Sequence, residues 1–162
     1  MITLRKFRKA DTQVVALLVM STYRQFNSTE YVSKHAIKEY LDYYDPRKNA
    51  IKQLYENFQR TPIFYVAVDD NRIIGMIRGR PGRISNLFVD GEHHKKGVGR
   101  LLVNRFEFEA KKQESKEIKI RASLYATPFY QKMGYKKTTG IRNFRGLKVY
   151  PMKKSLTRHT SV

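Results

Sequence analysis

Cysteine is absent from this 162-residue chain. That excludes disulfides, Cys-type zinc sites, a cysteine nucleophile and an acyl-cysteine intermediate. Long apolar runs are missing too. The longest, VVALLVM at 14–20, is far short of the roughly 20 residues that span a bilayer. The opening MITLRKFRKAD holds no apolar signal core, so the expectation is a soluble cytoplasmic protein with no membrane contact. The four histidines (35, 93, 94 and 159) lack metal-ligand spacing, and no metal is expected. There is no G-x-S-x-G, no G-K-[ST] and no third glycine for a dinucleotide fingerprint. Acidic residues are scarce: 14 Asp and Glu stand against 33 Lys and Arg, for a net charge of +19. None follows Glu117, whereas eleven Lys and Arg follow Ile118. Such a field concentrates anions. Nucleic acid, an anionic cofactor or an acidic protein all suit it, as does a merely solubilising surface.

What is present reads as one domain over 1–154 with a short tail at 155–162, without repeats or linkers. Alternation predicts a first strand at 1–7. Asp11 is placed to N-cap a helix to about Tyr23, with Val14, Leu17, Leu18 and Ser21 on one face. Residues 26–31 read as a loop. A second helix from about Ser33, carrying Ile37, Tyr40, Leu41 and Tyr44, ends at Pro46. A third starts near Arg47 with a stripe of Ile51, Leu54, Tyr55 and Phe58. Strands follow at 63–68, 73–77 and 84–89, separated by Asp70-Asn71 and Pro81-Gly82 turns. A helix at 98–112 shows Val98, Leu101, Leu102, Phe106 and Ala110 on one face. A strand at 118–122, a short helix at 127–133 closed by Gly134, and strands at 135–139 and 147–152 complete the chain. The strand–helix–strand unit 84–122 implies a parallel pair with a right-handed crossover. The fold class is α/β, with helices on both faces of a mixed, mostly antiparallel sheet.

Two stretches carry chemistry. The first is LFVDGEHHKKGVGRLL at 87–102, a strand running into a basic glycine loop and a helix N-terminus. Backbone amides there can hold an anion, and Gly97 and Gly99 would let a phosphate approach without a Cβ in the way. The second is ASLYATPFYQKMGY at 122–135, with Tyr130 in the short helix. Taken alone, Tyr130 reads as a core tyrosine satisfied by one hydrogen bond.

Together, V-D-x-x-x-x-x-K-G-V-G-R-L-L followed by A-x-P-F-Y-Q-K-M-G-Y resembles the GNAT superfamily of N-acetyltransferases over about residues 63–154. The family loop is [Q/R]-x-x-G-x-[G/A]; here His94 takes the first position, in His94-Lys95-Lys96-Gly97-Val98-Gly99. Ser123 stands where relatives often have asparagine. The resemblance implies a GNAT-like fold with a parallel β4/β5 pair, and acetyl-CoA as co-substrate in the gap between 84–89 and 118–122. It implies pyrophosphate on the amides of Lys95, Lys96, Gly97, Val98, Gly99 and Arg100. It also implies pantetheine along Leu87, Phe88 and Val89, with His94, Ser123, Phe129 and Lys132 as further contacts. Tyr130 would be the general acid that protonates the departing CoA thiolate.

The acceptor implied is a small-molecule or peptide amine, acetylated by direct transfer. No carboxylate lies on 84–89 to serve as base, and Asp90 and Glu92 adjoin the phosphate loop. Glu30, Glu39 and Asp42 belong to the helical region that borders the acceptor groove in the family, and the base stays unassigned. By charge, a neutral or anionic amine, an acidic peptide N-terminus or a nucleic-acid-bound protein fits +19 better than a polyamine. A nucleic-acid-binding protein with stacking aromatics and a CoA-binding regulator are the competing readings. Monomer and homodimer both stand.

Overall fold

The computed structural model describes residues 1–27 and 33–156. Its element order is β1 Ile2–Lys6, α1 Thr12–Phe26, α2 Lys34–Tyr44, α3 Ile51–Phe58, β2 Ile63–Asp69, β3 Arg72–Arg80, β4 Arg83–Val89, α4 Val98–Lys112, β5 Glu117–Ser123, α5 Thr127–Lys132, β6 Lys136–Lys137, β7 Arg142–Phe144 and β8 Leu147–Ser155. Among the described residues the strands form one sheet in the order β1-β2-β3-β4-β5-β8-β6, with β7 also on β8. Every pairing is antiparallel except β4 with β5. This is the mixed sheet expected. No described helix is long and apolar enough to cross a membrane.

Each face of the sheet buries its own cluster. On one, Val98, Leu102, Val103, Phe106 and Ala110 of α4 pack on Ile74, Ile77, Ile84, Ile118 and Ile120. On the other, Val15, Leu18, Val19 and Tyr23 of α1 pack with Leu54, Phe58, Phe64, Met76 and Phe88. The inward face of α1 differs from the predicted one, and that of α4 differs at Leu101 and Val103. Val14 and Leu17 are each 49% exposed and Leu101 42% exposed, while Val15, Val19 and Val103 are fully buried. A continuous apolar run such as 14–20 has no phase of its own, so the choice of face falls to the sheet beneath it.

Several boundaries move as well. Asp11 stands at the N-cap position of α1, but its side chain makes no capping bond to that helix. Its carboxylate accepts from the Arg8 N–H at 2.8 Å and from the Arg5 guanidinium at 2.7 and 3.0 Å, closing a short 3-10 turn before the helix. The third helix starts at Ile51 rather than Arg47, because Asp45 holds Arg47 in a turn: it accepts from the Arg47 N–H at 2.9 Å and the Arg47 Nη2 at 2.9 Å. Those contacts hold the Asp45 carboxyl down at about 2. The strand expected at 135–139 pairs only at Lys136–Lys137, and β7 was not anticipated. β8 continues to Ser155, and the Leu156 N–H donates to the Lys116 carbonyl at 2.8 Å with its side chain buried. The loop expected at 26–31 falls mostly outside the described residues.

Candidate active site

The parallel pair comes apart almost as soon as it forms. Its one ladder position is Arg83 with Lys119, where the Lys119 N–H donates to the Gly82 carbonyl at 2.9 Å. Beyond it, β4 stays on β3 and β5 stays on β8 over Glu117–Ser123. The facing edges of β4 and β5 are left without each other as partners. Such unpaired N–H and C=O groups are a template for an extended ligand.

Alternation decides which groups face the split. The Asp90 N–H bonds back to the Ile74 carbonyl on β3 at 2.8 Å, whereas the Val89 carbonyl turns outward and accepts from His94 Nε2 at 2.7 Å. N–H and C=O of one residue point the same way in a strand, and the direction reverses at each step. Leu87 and Val89 therefore direct their backbone groups into the split, and Phe88 directs its own at β3. Of the three residues anticipated for backbone contacts, Phe88 contributes its ring instead. That ring packs edge-on against Tyr23 at 6.3 Å.

The loop after β4 is the one read as an anion cradle. Gly97 precedes α4 at φ +83° and nothing lies within 4 Å of where its Cβ would be. The amides of residues 95–100 have no protein acceptor among the described residues, as expected ahead of a helix's first turn. A Cβ at Gly99 would meet the Phe129 ring at 3.2 Å, so its small size also admits α5 against α4. The histidines are also occupied. His93 Nδ1 lies 3.3 Å from Asp90 Oδ2. His94 stacks on Phe26 at 4.3 Å while its Nε2 holds Val89. Lys95, Lys96 and Arg100 are exposed around the loop, and so is Lys132 on α5, which does not line the cavity described next.

A cavity of about 600 Å³ runs from the split toward α1 and α2. Leu87, Phe88, Ser123 and Tyr130 line it. Tyr130 is 3% exposed, and its hydroxyl has no hydrogen-bond partner among the described residues. Burial alone pushes its pKa well above 10, so the phenol stays protonated. The ring is held edge-on by Tyr135 at 5.5 Å and Phe129 at 5.1 Å. Ser123 caps the turn that delivers it: Ser123 Oγ accepts from the Ala126 N–H at 3.1 Å, and its carbonyl accepts from Thr127 Oγ1 at 2.8 Å. A larger, more open depression of about 850 Å³ lies along the outer face of α1 near Arg5, Asp11 and Arg72, and no predicted binding residue lines it.

Among the candidate bases, Glu30 lies outside the described residues. Asp42 is held by Lys38 at 2.6 Å and Lys48 at 2.7 Å and does not line the cavity. Glu39 does line it, paired with His35 at 2.9 Å and open to solvent.

The far wall was not foreseen. Arg78 is 7% exposed. It donates from Nε to Asn86 Oδ1 at 2.7 Å and from Nη2 to the Tyr44 hydroxyl at 2.9 Å. Asn86 Nδ2 in turn donates to the Tyr40 hydroxyl at 3.4 Å. The visible trace was a charge inside the apolar strand IIGMIRGR and an amide inside RISNLFV. The β7–β8 hairpin closes the same side with Phe144 and Arg145. Its two-residue turn, Arg145 at φ +53° and Gly146 at φ +86°, is of the twist-matched kind that favours left-handed residues. Any Cβ at Gly146 would come within 2.5 Å of the Ala36 Cβ on α2. Gly146→Ala is expected to destabilise the fold by about 1–2 kcal/mol, and Ala36→Gly to recover part of that. Thermal melts of the single and double variants decide; no recovery would mean the loss is backbone strain alone.

Comparison with known proteins agrees with this arrangement. The family described as "Acetyltransferase (GNAT) domain" matches residues 21–156. N-acetyltransferase 8 of Homo sapiens is 30% identical over 93 residues, covering 49% of this chain and 41% of that protein, so the match spans less than half of the relative. Among solved structures, a GCN5-related N-acetyltransferase from Rhodopseudomonas palustris superposes with a TM-score of 0.78 at 20% identity over 94% of each chain. The PaiA N-acetyltransferase from Thermoplasma acidophilum, solved with coenzyme A, gives 0.75 at 20% identity over 96% of this chain and 99% of that one. At such identities these structures share the fold.

Proposed function

Because this chain belongs to the GNAT acetyltransferase family, we propose that it moves the acetyl group of acetyl-CoA to a primary amine by direct transfer, in the cytoplasm, with Tyr130 as general acid. One observation carries the reading: a protonated phenol, free of any partner among the described residues, sits buried beside the open edges of β4 and β5. The chain's groups fit the co-substrate in order. Unsatisfied amides at 95–100 suit the pyrophosphate. The outward groups of Leu87 and Val89 suit the amides of the pantetheine arm, and an N–H on that edge suits the oxyanion formed during attack.

The proton balance closes within the cavity. The acceptor nitrogen bonds to the acetyl carbon, the C–S bond breaks, and Tyr130 gives its proton to sulfur. The nitrogen surrenders one proton, which restores the phenol directly or through water. A free tyrosine titrates near 10 and a thiol near 8.5, so complete transfer to a relaxed thiolate is uphill by about 2 kcal/mol. Burial of Tyr130 raises that figure, so donation must accompany C–S cleavage. The same upward shift places the tyrosine's ionisation beyond pH 10, and no alkaline loss of kcat below that pH is expected from this residue.

Calorimetry with acetyl-CoA tests the reading; binding no tighter than about 1 mM overturns it. Gly97→Val is expected to weaken acetyl-CoA at least about tenfold, since a branched side chain would fill the cradle and strain a left-handed residue. Gly97→Asn tolerates that backbone region better and separates strain from obstruction. Unaltered affinity in the valine variant would remove the loop from the binding site.

A further inference from the structure

The cavity is charged with one sign. Arg78, Arg83, Arg121 and Arg145 line it against Glu39 alone, and none of the four has a carboxylate within 4.0 Å among the described residues. Arg78 is the telling member. A buried guanidinium without a counter-ion is costly. Its partners are neutral: Asn86, Tyr44 and, at 3.4 Å, the Asn57 carbonyl. Those contacts use three of its five N–H donors. The Phe58 ring at 5.0 Å and the Tyr44 ring at 5.9 Å offset part of the charge by cation–π attraction, without supplying an acceptor.

Arg121 and Arg145 are fixed at the wall by one ring. Their guanidinium carbons lie 4.2 and 5.3 Å from the centre of Phe144. Burial, then Arg121 and Arg80, lowers the pKa of Arg83, as mutually repelling cations do. The CoA pyrophosphate does not account for this charge. From Arg83, where the strands still pair, to Val89 and the phosphate loop is six residues, or about 20 Å of extended strand. Arg78 also shares the sheet face of Met76 and Phe88, toward α1–α3 and away from α4.

We propose that the acceptor is a small amine bearing a carboxylate, an α-amino acid, held by a carboxylate–guanidinium contact to Arg78, Arg121 and Arg145 while its nitrogen faces the acetyl group. Arginine's planar fork matches a carboxylate in two-point geometry, and the aromatic remainder of the wall, including Tyr40 and Tyr43, suits an apolar side chain. The inference rests on the acetyl-transfer reading and deepens it.

The test uses the full chain with acetyl-CoA, reading free thiol release and, by calorimetry, binding to the CoA-bound protein. Glycine, leucine, phenylalanine and aspartate are each paired with their carboxamides, alongside spermidine. At least one amino acid is expected to exceed its carboxamide at least tenfold in kcat/KM and in affinity. Arg121→Gln with Arg145→Gln should bring that ratio near one, and Arg78→Lys, which keeps the charge but loses the fork, should lower it as well. Carboxamides or spermidine equalling the acids, a ratio unmoved by the arginine variants, or no amino acid bound or acetylated would each overturn the inference. Failure of acetyl-CoA itself to bind removes the transfer reading. Acetyl-CoA binding without a preference for the acids removes this inference alone.

Discussion

Replacing Tyr130 by phenylalanine is expected to lower kcat about a hundredfold, the low end of what a positioned general acid contributes, with acetyl-CoA affinity nearly intact. The two side chains differ by one oxygen. That oxygen bonds to no protein group among the described residues, so its removal breaks no internal contact, and Phe keeps the edge-on packing on Tyr135 and Phe129. Loss of a buried, unpartnered hydroxyl should leave stability equal or slightly higher. A fall in kcat without a fall in stability is therefore the signature of the acid. Single-turnover thiol release beside a thermal melt measures both. An unchanged kcat would make Tyr130 a packing residue.

Glu107→Ala should cost about 3 kcal/mol of stability, the low end for breaking a buried ion pair, because one partner reaches solvent. Glu107 sits in α4 at 6% exposure. Its carboxylate accepts from the Tyr135 hydroxyl at 3.0 Å and from Lys154 Nζ at 2.9 Å. Removing it strands a buried phenol and half-frees a lysine on β8. The effect reaches the site, since Tyr135 braces the Tyr130 ring. Glu107→Gln keeps an acceptor for Tyr135 but loses the charge opposite Lys154, so an intermediate loss is expected. Urea unfolding with an unchanged m-value checks the ranking. A loss below about 1 kcal/mol for the alanine variant would mean Lys154 and Tyr135 find other partners.

Much of the candidate site was legible because the residues proposed for it lie close together in sequence. The cradle at 95–100 is one loop, and Tyr130 and its turn at Ser123 lie within eight residues. Periodicity placed the elements that carry them, and the Asp70-Asn71 turn appears as expected, with both residues at positive φ. That Gly99 also makes room for Phe129, thirty residues on, was not legible, because a glycine gives no sign of which neighbour needs its space. His94 departs from the family motif's first position, and its bond to the Val89 carbonyl came to light only with the fold.

Composition and period were enough for the class of fold, the strand–helix–strand unit and the anion loop, because each leaves a local pattern in the sequence, whereas the candidate acid came from the resemblance of 122–135 to the GNAT motif. Tertiary structure was needed for everything that joins distant segments. It set which face of the apolar run 14–20 in α1 turns inward, since such a run has no helical phase of its own. It parted β4 from β5 after one paired position, a consequence of each strand following a different neighbour. It also brought Arg78 of β3, Arg121 of β5 and Arg145 of the β7–β8 turn to one wall. A charge in sequence has no address until the sheet assigns one, so the acceptor side emerged only once the chain was folded.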